Sequence, residues 1–283
     1  MSEMQVAHDF VRESDALHAL LRPLDDAAFA EATLFKGWSI NRVLRHLHFW
    51  NYAAHLSLTE PSQFDNLMGQ LTKKSAGRGS RGSKKAAANA DMSAAMEAME
   101  TQFADGAEGR LLCDLWRGFY RPMGLRFAET SPKTRVRWAG PDMSARSSIT
   151  ARLMETWSHG QAVYDALGAE REAHDYIKNI AVLGVNTFGW SFRVHGHEVP
   201  ETPPYLALTA PSGAVWEWHE KSERDYIKGP AQDFCQVVTQ CRNIADVGLE
   251  VRGEVATRWM AEAQCFAGGP EMPPPPGARR KKA

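Results

Sequence analysis

Ser147-Ser-Ile-Thr-Ala-Arg152-Leu-Met-Glu155-Thr-Trp-Ser-His159-Gly-Gln-Ala-Val-Tyr-Asp-Ala-Leu-Gly168 reads as one helix with a charged pair set into it. Ser144, Ser147 and Ser148 offer N-cap oxygens, Gly168 supplies a C-cap, and nothing between them breaks a helix. Glu155 and His159 are four residues apart, so they share a face, one turn above the other. Leu153, Trp157, Val163 and Leu167 leave much of the helix surface apolar and therefore packed. A carboxylate and an imidazole beside a core need a reason. Taken alone, such a pair is most often a hydrogen bond at the surface; the sharper reading is a pair of ligands on one divalent ion.

Bulk properties narrow the field. The chain has 283 residues, 43% hydrophobic and 24% charged, with a net charge of -1. These values fit a globular protein long enough for two modest domains, with no general attraction to nucleic acid or anionic membrane. The start, Met1-Ser-Glu-Met-Gln-Val-Ala-His-Asp-Phe10, places acids where a secretory signal needs a basic and then an apolar run. No later stretch is apolar for the length a bilayer requires, so a cytoplasmic protein is expected. Cys113, Cys235, Cys241 and Cys265 lie far apart without C-x-x-C spacing and read as reduced, buried small hydrophobes.

Outward from the opening stretch, helical spacing predicts a first helix from Met4 to Leu21 and a short turn over Asp25 to Glu31. Ser39 caps a second helix whose inward stripe is Ile40, Val43, Leu44, Leu47, Trp50 and Ala54. Of its three histidines, His46 lies beside Trp50 on one flank of the stripe and points inward, whereas His48 and His55 share the other flank, further out. This helix is expected to end at Thr59-Glu60-Pro61. The basic Gly/Ser-rich run Lys73 to Lys85 reads as a mobile solvated loop. A long third helix is expected from Ser93 to Glu129, bent at Gly106 or Gly109 and at Pro122, with a loop over Val136 to Pro141. Four such helices suggest a bundle over residues 1–170, its functional side chains projecting inward.

After Gly168 the period changes. One apolar helix is expected over His174 to His195, then strands at Tyr205 to Thr209, Ala214 to His219 and Arg224 to Lys228. A helix over Pro230 to Arg242, a strand over Val247 to Val251 and a helix over Glu254 to Phe266 complete a small α+β domain, 171–268. Residues 269–283, with four consecutive prolines and a basic end, are expected to be a disordered tail. The fold class is thus mainly α with an α+β C-terminal part.

If the second and fourth helices face each other, His46 meets Glu155 and His159. Three protein ligands leave an open position on the ion, as in catalytic rather than structural zinc sites.

These residues also carry a resemblance. Gly37-Trp-Ser39 with Val43-Leu-Arg-His46-Leu47, and Ala151-Arg-Leu-Met-Glu155-Thr-Trp-Ser-His159-Gly-Gln-Ala-Val-Tyr-Asp-Ala-Leu-Gly168, resemble the two signature segments of the mycothiol-dependent maleylpyruvate isomerase family, within the DinB-like metal-binding superfamily. Leu47-His-Phe-Trp-Asn51, Trp138-Ala-Gly-Pro-Asp-Met-Ser-Ala-Arg146 and Gln264-Cys-Phe-Ala-Gly268 resemble a metal-binding branch of it. The resemblance implies a DinB-like four-helix bundle, a divalent metal, usually zinc, held by His46, Glu155 and His159, and a smaller sterol-carrier-protein-like domain behind it. It further implies a low-molecular-weight thiol such as mycothiol near the metal, and thiol addition, transfer or isomerisation on a small-molecule substrate.

One departure matters: where the family commonly has Asp three residues after the helix-four histidine, this chain has Ala162, which cannot make that polar contact. For substrate binding the sequence offers Arg152, which is placed to orient Glu155 or hold an acid group, Arg242 as a cleft cap, and Trp50 as a pocket wall. No residue beyond the ligands is assigned a catalytic role. The expected partner is a small molecule, with neither nucleic acid nor membrane, and the expected state a monomer or homodimer. Two other readings stay open: metal-assisted hydrolysis without a thiol, and a non-catalytic metal or small-ligand binding protein.

Overall fold

The computed structural model describes residues 4–76 and 85–280, with the backbone alone for 72–76 and 85–92. It is mostly helical, with a small sheet in the C-terminal part. The chain divides into two compact units, one of residues 1–33 and 37–156, the other of 34–36 and 157–283.

The first unit is built around one helix. Helices α1 (Gln5–Leu21), α2 (Ile40–Thr59), α3 (Pro61–Ala76), α4 (Lys85–Phe103) and α5 (Gly109–Ala128) follow in order, and α2 touches α3, α4 and α5. Of its predicted stripe, Ile40, Val43, Leu44, Leu47 and Ala54 are completely buried and Trp50 is half-buried. Helix α1 lies against α5, where Gly124 permits a close approach: a Cβ there would stand 2.3 Å from a Val11 methyl. A two-stranded antiparallel ribbon, β1 (Arg135–Val136) and β2 (Met143–Ser144), then leads into α6 (Ala145–Ala166). The sequence predicts only a loop there.

Two expectations for this unit are corrected. The single long helix over Ser93 to Glu129 is two helices, because Asp105 and Gly106 adopt left-handed φ values of 49° and 69° and turn the chain between α4 and α5. The second helix ends at Thr59 as expected, but Pro61 then opens a further helix, α3, that the sequence reading lacks; proline at the first helical position sacrifices an N–H that has no partner anyway. The basic run Lys73 to Lys85 is helical in backbone at 73–76 and 85, and the loop expected between lies at 77–84, outside the described residues.

In the second unit the single helix expected over His174 to His195 is replaced by a 3-10 turn (Asp175–Ile177) and two helices, α7 (Lys178–Asn186) and α8 (Phe188–Val194). They part at Thr187, whose hydroxyl donates back to the Leu183 and Gly184 carbonyls at 2.8 and 3.0 Å and competes with the helix ladder. The sheet comprises β3 (Tyr205–Thr209), β4 (Val215–Trp218), β5 (Tyr226–Pro230) and β6 (Glu250–Arg252), in the order β4-β3-β5-β6. The β3–β5 pair is parallel and the other two are antiparallel. Helix α9 (Ala231–Val238) follows β5 and α10 (Glu254–Glu262) follows β6; Phe188, Phe234 and Trp259 meet edge to face beneath them. Strand β6 begins three residues later than the sequence predicts; in the segment before it Gly248 N–H donates to the Asp233 carboxylate at 2.8 Å rather than to a strand.

Residues 269–280, expected to be disordered, form no regular element but are tied down. Asn243 donates to Pro274 O at 2.8 Å, Arg279 donates to Gln240 O at 2.6 Å, and Gly277 N–H donates to the Asp246 carboxylate at 2.9 Å. All four cysteines are free and buried. No helix among the described residues is long and apolar enough to cross a membrane.

Candidate metal centre

Each wall of the candidate site is set by local capping. Ser39 accepts the Arg42 N–H at 3.2 Å, which fixes the start of α2 and hence the direction of His46, two turns along. On α6, Ser144 Oγ accepts the Ser147 N–H at 3.1 Å, and Gly168, with φ 63°, ends the helix by letting Ala169 N–H reach Tyr164 O at 3.0 Å. With both ends pinned, Arg152, Glu155 and His159 share a face at helical spacing.

His46 Nε2 stands 3.4 Å from Glu155 Oε2, and one ligand atom from each of His46, Glu155 and His159 lies within 4.8 Å of the other two. Two ligands at about 2.0–2.1 Å from a tetrahedral zinc are roughly 3.3 Å apart, so the His46–Glu155 spacing matches one edge of such a site. The donor set, two imidazoles and a carboxylate, is that of a zinc site with an open position. Around it are aromatic rings: Trp38 and Trp50 flank His46 at 5.4 and 6.3 Å, and Phe35 meets His159 edge to face at 4.9 Å.

Sequence reasoning missed one residue of this constellation. Glu100 of α4 is 2% exposed, and its carboxylate accepts the Nδ1–H of His46 at 2.8 Å. The signal was present: Glu100 sits in the apolar stripe Met96, Met99, Phe103, where an acid has no business unless partnered.

Burial opposes charge on His46, but Glu100 and then Glu155 outweigh it and raise the imidazole's pKa to about 9. Since that lies above the value of about 6.5 for an unfolded histidine, its contribution is complete below pH 6.5 and fades as the pH climbs through 9. The metal-free protein is therefore expected to lose about 3 kcal/mol of stability over that window. Urea unfolding of the metal-free chain at pH 6 and pH 9.5, beside His46→Ala, measures it; equal slopes with pH in both proteins would refute the assignment.

The other residues singled out by sequence are placed as follows. Arg152 is 2% exposed; its Nε–H donates to Asn51 Oδ1 at 3.0 Å, and Nη2 has no partner among the described residues. Burial pulls its pKa down to about 10 while the Glu155 carboxylate pushes back. Trp50 lies 5.5 Å from Trp138, which stacks on Phe64, and its Nε1–H is buried without a hydrogen-bond partner among the described residues. Arg242 is engaged by Asp165 through two bonds of 2.7 Å. His48, expected on the outer flank, is instead buried against Phe103 and Phe119, and burial lowers its pKa to about 4, so it is neutral.

Comparison with known proteins gives three results. The profile of the mycothiol maleylpyruvate isomerase N-terminal domain family matches residues 10–164. Two uncharacterized proteins of Mycobacterium tuberculosis, Rv0036c of strain H37Rv and MT0041 of strain CDC 1551 / Oshkosh, are each 34% identical over 262 residues, covering 93% of this chain and 95% of theirs. Crystal structures of the mycothiol-dependent maleylpyruvate isomerase and of a mutant of it align over 82% of this chain and 87% of theirs, at 16% identity and a TM-score of 0.48.

Proposed function

Since the chain belongs to the mycothiol maleylpyruvate isomerase N-terminal domain family, we propose that it is a zinc-dependent enzyme catalysing thiol-dependent transfer or isomerisation of a small electrophilic substrate in the cytoplasm. The observation that carries the proposal is the convergence of His46, Glu155 and His159, whose ligand atoms lie within 4.8 Å of one another. In this reading α1, α2, α5 and α6 are the helices of a DinB-like four-helix bundle, and β3–β6 with α9 and α10 form a sterol-carrier-protein-like domain.

When bound, the ion supplies Lewis acidity that favours the anionic form of a thiol at neutral pH. The chain's own residues do the rest. His46 and His159 offer neutral nitrogens and Glu155 a negative oxygen, so the set leaves net positive charge on the ion to attract a thiolate. Arg152, fixed by Asn51 one turn from Glu155, holds that carboxylate's field steady and adds positive charge for an acidic substrate group. Trp50 and Trp138 wall the approach with apolar surface, which excludes water and strengthens the electrostatics inside.

The test combines metal analysis with turnover. Wild-type protein is expected to hold one zinc per chain and to convert an α,β-unsaturated or cis-configured acid only when a low-molecular-weight thiol is present. Turnover of esters or amides without thiol would replace this reading with metal-assisted hydrolysis. Bound zinc with saturable ligand binding and no turnover would favour the non-catalytic reading, to which Ala162 at the usual Asp position lends support. A metal-free wild type sinks all three.

A further inference from the structure

We infer that Glu100 is a positioning residue of the metal centre: through its hydrogen bond to His46 Nδ1 it turns Nε2 toward Glu155 and holds it there before any ion arrives. The inference rests on the metal-centre reading above and adds to it a residue that touches neither ion nor substrate.

Glu100 needs such an explanation because its surroundings are hostile to charge. It lies on α4 beside a core cluster of Phe49, Leu71, Ala95 and Met99, against which Met96 and Phe103 also pack. Taking a carboxylate out of water costs several kcal/mol unless it is paired. The arginines on neighbouring turns of α2 are engaged elsewhere, Arg42 with Glu97 at 3.0 Å and Arg45 with Glu108 and Thr101. Among the described residues the partner of Glu100 is His46.

The geometry of that single bond decides which nitrogen is available. An imidazole with Nδ1–H committed to a carboxylate presents Nε2 as its free nitrogen, and the ring cannot turn over without breaking the bond. Here Nδ1 is 2.8 Å from Glu100 and Nε2 is 3.4 Å from Glu155, so the ring is held across a line between two acids, one buried and one partly exposed. A carboxylate behind a ligating histidine raises the basicity of the ligand and removes the entropy of orienting it, and losing such a partner typically weakens metal binding by about 10–100-fold.

The experiment is zinc affinity of the full chain, measured by competition with a chromogenic chelator at fixed pH, for wild type, Glu100→Ala and Glu100→Gln. Zinc alone is the probe. Glu100→Ala is expected to bind zinc about 10–100-fold more weakly. Glu100→Gln keeps an oxygen that accepts Nδ1–H and loses only the charge, so its loss should be measurable but smaller, about three- to tenfold. That graded order is what a merely structural residue would not produce. Thermal unfolding of the metal-free variants runs beside it: a Glu100 that only props the fold would lower the metal-free midpoint and leave the affinity of the folded protein untouched, which overturns the inference. Should Glu100→Ala fail to fold, Glu100→Gln decides, with unchanged affinity again the overturning result. A wild type that takes up no zinc sinks the metal-centre reading and this inference with it, whereas tight wild-type binding with equal affinity in both variants defeats this inference alone.

Discussion

His46→Ala, Glu155→Ala and His159→Ala are each expected to lower zinc affinity by roughly 100-fold or more. A four-ligand zinc site supplies about 10–16 kcal/mol, so one protein ligand is worth on the order of 3 kcal/mol. The three variants should nonetheless differ in the absence of metal. His46→Ala leaves the buried Glu100 carboxylate without its partner, and breaking a buried pair costs about 3–5 kcal/mol. Glu155 is partly exposed, and its loss removes a through-space support for the Arg152 charge rather than a buried hydrogen-bonded pair, so the cost should be smaller. Elemental analysis of each purified variant reads the first effect, and urea unfolding in excess chelator reads the second. Retention of stoichiometric zinc by any one of the three would remove that residue from the ligand set. Equal metal-free stability of all three would contradict the buried pair.

Gly253→Ala is expected to be the most damaging single-methyl change in the second unit. Gly253 precedes α10 with φ 95° and ψ 160°, a region that L-residues avoid. A Cβ there would stand 2.6 Å from the backbone carbonyl of Arg224 and 2.6 Å from Asp225 Cγ. Backbone cannot swing aside as a side-chain tip can. Asp225 in turn caps α10 by accepting the Val255 and Ala256 N–H groups at 3.2 and 2.8 Å, so moving it uncovers a helix end. Strain of about 1–3 kcal/mol and a lost cap of about 1 kcal/mol give a loss of roughly 2–4 kcal/mol. Denaturant unfolding measures it, and a change below about 0.5 kcal/mol, the scale of an ordinary surface substitution, would show that the turn relaxes freely.

What the sequence discloses here is whatever is local. Helix α6 could be read from Ser144 to Gly168 because its caps and its apolar surface lie within the helix or next to it. His46 could be placed inward from the stripe of its own helix. Pro61 marked the end of α2 correctly but hid the start of α3, because a proline that stops one helix and one that starts the next look alike until the backbone before it is known. Glu100 and His48 depend on partners far along the chain: Glu100 on a histidine 54 residues away, His48 on rings from α4 and α5. No periodicity reports such pairings. Gly253 is likewise silent in sequence, since its constraint comes from Arg224 and Asp225 in the bend just before β5.

The burial of the cysteines bears on how the chemistry can be assayed. Cys113 lies in the core with its thiol pushed up to about 12 by burial and the nearby Asp114, and Cys241 is raised in the same direction by burial. Cys235 donates to Ile177 O at 3.6 Å and Cys241 to Ser158 O at 3.4 Å, so neither sulfur is held as a nucleophile. Mixed disulfides with an added thiol cofactor, and alkylation by an electrophilic substrate, should therefore be slow on the native chain. Any sulfur adduct formed in a reaction mixture can be credited to the added thiol rather than to the protein.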